Sequence, residues 1–95
     1  MRVQFVERAS RPERLLCEAE IHFEEGQLAG TRLVGFSLWR SLEGEVFVTF
    51  PSRALGGGSE RRYFDYLRAA DGDADTVKRV KAWIVAEYRK VQAAA

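Results

Sequence analysis

"LLCEAEIHFE", residues 15–24, decides the fold class. Leu15, Cys17, Ala19, Ile21 and Phe23 share one face of an extended chain, and Leu16, Glu18, Glu20, His22 and Glu24 share the other. Side chains alternate across a strand, so an apolar row backed by an acidic row predicts a half-buried β-strand.

The flanking segments repeat the period of two. Residues 2–9 read as a short strand with Val3 and Phe5 on one side and Gln4 and Arg8 on the other, and Arg11-Pro12 marks the turn that follows. Glu25-Gly26 ends the central strand. "TRLVGFSLWR" (31–40) predicts a third strand, with Val34, Phe36 and Leu38 on one face and Leu33 and Trp39 on the other. Glu43-Gly44 supplies a hairpin turn. "EVFVTF" (45–50) predicts a fourth strand, which Pro51 ends because it cannot donate to the ladder. "RRYFDYLR" (61–68) predicts a fifth.

Then the period changes. "TVKRVKAWIVAEYRKVQ" (76–92) carries Val77, Val80, Ile84, Tyr88 and Val91 at helical spacing. Asp71, Asp73 and Asp75 precede it, where carboxylates cap free N–H groups and suit the helix dipole. The expected fold is α+β, a single domain over 1–95 with an antiparallel sheet of about five strands followed by one C-terminal helix. One helix covers one sheet face, and Leu33, Trp39, Phe47, Tyr63 and Leu67 remain at outward positions. A second apolar face calls for a partner, so a dimer through the sheet is expected, with Trp39, Phe47 and Tyr63 at its interface. The alternative is a sheet that curls over itself.

Composition bounds the function. The chain has 95 residues, 46% hydrophobic, and 15 basic against 14 acidic side chains for a net charge of +1. Bulk charge therefore names no polyanionic partner, and the placement of charges decides. The single cysteine, Cys17, forms no internal disulfide, and no stretch approaches the about 18 apolar residues of a membrane span. Residues 1–10 carry no apolar run of signal-peptide length, so a cytoplasmic location is expected.

No catalytic set assembles. Cys17 and His22 are five residues apart and project to opposite faces of one strand. Cys17 reads as core, and His22 as a solvated strand residue. Asp71, Asp73 and Asp75 lack the glycine and distal glutamate of a calcium loop. Gly56-Gly57-Gly58 is followed by no Gly-Lys-Ser/Thr and opens no helix, so it is neither a Walker loop nor a dinucleotide fingerprint. No catalytic residue, metal, cofactor or small-molecule substrate is expected.

The basic residues cluster. Ser52, Arg53, Arg61 and Arg62 surround the glycine run, where they can contact phosphates or simply decorate a mobile hairpin connection. On the helix, Lys78, Arg79, Arg89 and Lys90 fall away from the apolar stripe, with Lys81 at its edge.

The order of these pieces carries a resemblance. "GEVFVTFPSR" (44–53), a glycine-containing loop, "YFDY" (63–66) and a helix carrying "EY" (87–88) together resemble the SpoVG family of small bacterial sporulation and septation proteins. The likeness runs over roughly residues 2–91 and is strongest at Pro51-Ser52-Arg53 and at Tyr63-Phe64-Asp65. The chain departs where Tyr66, Leu67 and Arg68 follow without a proline, as in a distant member. The resemblance implies a dimeric, non-enzymatic regulator that binds DNA and RNA, with Pro51, Ser52, Arg53 and the following loop in or beside the binding surface. The competing expectation is a protein–protein interaction module that uses an aromatic sheet face or a sheet edge.

Overall fold

The computed structural model describes residues 1–94. β1 (Arg2–Val6), β2 (Leu15–His22), β3 (Arg32–Arg40) and β4 (Val46–Thr49) form a four-stranded antiparallel sheet in that order. β5 (Ser52–Leu55) and β6 (Arg62–Asp65) form a separate two-stranded antiparallel ladder, and α1 (Ala74–Ala94) ends the chain. No helix is long and apolar enough to cross a membrane.

From Cys17 onward the alternation in β2 is realised: Cys17, Ala19 and Ile21 are buried, while Glu18, Glu20 and His22 are half-buried on the outer face. A register shift between Leu15 and Cys17 breaks it at the start, where Leu15 pairs with Trp39 and Leu16, expected outward, packs against the core. Phe36, Leu38, Val48 and Phe50 complete the apolar layer, and Ile84 of α1 closes it with no exposed surface. Phe36 and Phe50 meet edge to face with ring centroids 5.3 Å apart. Burying a side chain such as Ile84 stabilises the fold by about 1.5–3 kcal/mol. α1 lies over β4 and β1, the two outer strands. Asp73 caps it: its Oδ1 accepts from the Asp75 N–H at 2.9 Å. The helix starts two residues earlier than its apolar stripe implies, and its last stripe residue, Val91, is exposed.

Three expectations are corrected. The fourth strand ends before Pro51 as expected, but the sheet of about five strands is four strands plus a hairpin, because the chain resumes extended pairing after the proline. The strand expected over 61–68 is the shorter β6, and it pairs with β5 rather than with the main sheet. Leu33 and Leu67, expected outward, pack against the core.

Leu33 turns inward for a local reason. Between Ala19↔Phe36 and Ile21↔Leu33, β3 uses one more residue than β2, a β-bulge at Val34-Gly35. The extra residue reverses the faces, so Leu33 turns inward and Val34 outward. Gly35 takes φ +102°, and Pro51 packs so closely on it that an added Cβ would lie 2.8 Å from the proline Cβ. The bulge, the glycine and the proline together form the corner where the chain leaves the sheet.

Candidate nucleic-acid interface

The β5–β6 hairpin leaves the sheet at that corner. Phe50 stays in the core below it, and the Tyr66 N–H donates to the Pro51 carbonyl at 2.9 Å to continue the ladder to its base. Beyond that point the arm packs chiefly on itself. Its register pairs Ser52↔Asp65, Arg53↔Phe64, Ala54↔Tyr63 and Leu55↔Arg62. Side chains opposite each other in a ladder share a face. One face of the arm therefore carries Arg53, Leu55, Arg62 and Phe64, continued by Tyr66 two residues on, all exposed. The other carries Ser52, Ala54, Tyr63 and Asp65, and the Arg61 guanidinium sits over the Tyr63 ring at 5.5 Å.

The arm's tip is built rather than slack. Gly56 takes φ +81°, and a Cβ there would lie 2.8 Å from the Glu60 carbonyl oxygen. A 3-10 turn at Gly58–Glu60 follows, and the Arg61 N–H donates to the Gly58 carbonyl. The run of glycines thus serves a tight turn, where a mobile connection was expected.

Most arginines of the main sheet have acidic partners; Arg40, at the end of β3, instead donates to the Gly44 carbonyl at 3.2 Å. On the main sheet Arg2, Arg8 and Arg32 pair with Glu24, Glu18 and Glu20 at 3.2, 2.7 and 3.4 Å. Among the described residues no such pair engages Arg53, Arg61, Arg62 or Arg68 on and below the arm; Arg68 donates to the Asp65 carbonyl.

The helix cations are exposed but spread out. Thr76, Val77 and Val80 of α1 border Phe50, Leu67 and Arg68 near the arm's base, which sets Lys78 and Arg79 at the arm's end of the helix. Arg89 and Lys90 lie 11 residues further on, about 16 Å along the axis. Lys90 pairs with Glu87 at 3.6 Å, and Lys81 reaches back over the Phe50 ring at 5.2 Å. No hydrogen bond or ion pair joins the helix cations to the arm among the described residues.

The expected interface residues also separate. Trp39 and Phe47 are cross-strand partners on the outer sheet face, with the Trp39 indole N–H donating to Thr49 Oγ1 at 2.9 Å. Tyr63 stands on the arm, in the other sheet. The middle of the outer face carries a charged cluster, with Glu20 accepting from Arg32 and lying 3.2 Å from His22. Cys17 is sealed in the core, and burial pushes its thiol up to about 11, away from nucleophilic use. Among the described residues no three His, Cys, Asp or Glu side chains converge as metal ligands would.

Phe64, Tyr66 and Arg68 were not singled out as site residues from the sequence. Pairing 52–55 with 62–65 would have placed Phe64 beside Arg53. A groove of about 540 Å³ runs between β4 and α1, lined by Val46, Val48, Lys81, Ala82, Val85 and Arg89. Comparison with protein families, with curated proteins and with solved structures finds no match to this chain.

Proposed function

We propose that this chain is a non-enzymatic nucleic-acid-binding regulator, acting as a cytoplasmic homodimer, and that the β5–β6 arm is its binding element. One observation carries the reading: a free-standing two-stranded ribbon whose arginines have no acidic partner among the described residues, beside a sheet on which Arg2, Arg8 and Arg32 do. Unpaired arginines are matched to phosphate oxygens, and a two-stranded ribbon is slim enough to follow a nucleic-acid backbone or groove. Arg53, Arg61 and Arg62 make the phosphate contacts, with Ser52 as a further donor. Lys78 and Arg79 extend the basic surface past the arm's base, and Arg89 and Lys90 bind only a ligand long enough to reach along α1. The resemblance to the SpoVG family points to the same activity.

The test is a titration against mixed-sequence DNA and RNA at low and high salt. The Arg53→Ala/Arg61→Ala/Arg62→Ala variant should bind all sequences more weakly, and its salt slope should be shallower by about one unit per lost contact. Arg8→Ala, already paired with Glu18, serves as the control. An unchanged slope in the triple variant would remove the arm from the interface.

A protein-docking role has one observation in its favour. Arg40 donates its N–H to Arg14 on the β2 side, so its partner Val46 has its backbone groups turned away from β3, and Val48 follows by alternation. These open groups border the groove on α1, where an extended partner segment can add a strand. If the parent protein binds no nucleic acid at any salt, this becomes the better reading.

A further inference from the structure

We infer that the arm takes single-stranded nucleic acid, with Phe64 and Tyr66 as stacking platforms for unpaired bases. The inference rests on the nucleic-acid reading of the same arm and names its substrate class.

Phe64 is 40% exposed and Tyr66 61% exposed, on a ribbon that packs on no other layer. Rings held in water in this way are not serving the core. They lie on the same face as Arg53, opposite Phe64, and Arg62, two residues before it. No carboxylate shares that face, because Asp65 falls on the other one. The face is therefore an alternation of guanidinium and aromatic ring, with Leu55 at its outer end.

A duplex offers such a face little. Its base planes are covered by their neighbours, and a groove presents polar edges that phenyl and phenol rings do not read. A single strand exposes the planes themselves, and stacking them on aromatic rings while arginines hold the backbone is how strands are gripped without base pairing. The spacing agrees. Positions 64 and 66 are about 6.8 Å apart along an extended strand. That is twice the 3.4 Å rise of a stacked strand, so bases must part to meet both rings. Tyr63 points to the other face, where Arg61 already covers its ring, and it is not part of the platform.

The experiment is fluorescence anisotropy with a labelled mixed-sequence single strand and the duplex of the same sequence, at low and high salt. The parent should bind the single strand more tightly. Phe64→Leu and Tyr66→Leu keep apolar bulk but remove the ring, and each should weaken single-strand binding about 5- to 150-fold. Duplex binding and the salt slope should not move, and Tyr63→Leu should change neither. Phe64→Tyr and Tyr66→Phe, which keep a ring, should bind as the parent does even if a leucine variant folds poorly. Equal affinity for duplex and single strand, or parent-like single-strand binding by the double leucine variant, overturns the inference while leaving the arm a phosphate grip. No binding to either probe at low salt overturns both readings.

Discussion

Gly35 is where one missing side chain sets the shape of the molecule. Its backbone has φ +102°, and the space a Cβ would need is filled by Pro51. Gly35→Ala combines left-handed strain with a clash in the corner. It should destabilise the protein by about 2 kcal/mol or more, read as a lower denaturation midpoint at unchanged m-value. A loss below about 0.5 kcal/mol would mean that Pro51 shifts freely and the corner is soft. Cys17 makes a second prediction. Burial, then the nearby Glu7 charge, raises its thiol from 9.0 to about 11. The unfolded chain therefore loses this proton from about pH 9, and the folded chain only near pH 11. Between these values the unfolded state binds fewer protons, so stability falls as pH rises; below pH 9 the contribution is fully present. Denaturation midpoints of the parent should fall more steeply over that window than those of Cys17→Ala. Parallel curves would show that the thiol is not shielded.

At the scale of elements, the strands that build the core were legible and the hairpin was not. β2 announces itself because its apolar and acidic rows alternate without a break, and α1 because its stripe steps by three and four. β5 has no such signal. Ser52–Leu55 follows a proline, is four residues long and buries nothing fully, so no core face imposes a period on it. The β3 bulge did leave a trace, an isolated glycine inside a strand pattern, and Gly35 read in that way would have turned Leu33 inward. The candidate site on the arm was legible only as residue types. Arg53, Arg61 and Arg62 stand out in the sequence, but which aromatic ring accompanies them depends on a register set by the tip at Gly56. The same lack of packing predicts behaviour. A hairpin held by its own ladder and one tethered base opens more readily than a sheet sealed by a helix. Backbone amides of β5 and β6 should exchange with solvent at least about tenfold faster than those of β2 and β3 in the free protein. Equal protection would mean that something covers the arm in solution.

At the scale of the whole molecule, the chain exposes more than its mass requires. Its radius of gyration is 14.6 Å, where a compact chain of this length has about 12 Å. Its accessible surface is 7105 Å² for 10.8 kDa, where a folded monomer of that mass shows about 5,500 Å². The excess, roughly 1,600 Å² per chain, is larger than the about 800 Å² each partner buries in a standard interface. The large apolar side chains tell the same story: Phe47, Leu55, Tyr63, Phe64 and Tyr66 are all at least 40% exposed. Most of these belong to the arm, where a ligand can use them. Phe47 does not. It pairs with Trp39 at one end of the outer sheet face and beside the open edge of β4, away from the ion-paired middle of that face. A second copy that covers this end brings two such pairs together and seals the edge strands without opposing like charges. The parent should therefore sediment as a dimer at micromolar concentration. Phe47→Glu puts a carboxylate into the apolar patch of each protomer, so it should shift the species to monomer with the far-ultraviolet circular dichroism unchanged. Sedimentation of the parent as a monomer across the accessible concentration range would exclude the dimer and leave the excess surface to the proposed nucleic-acid ligand alone.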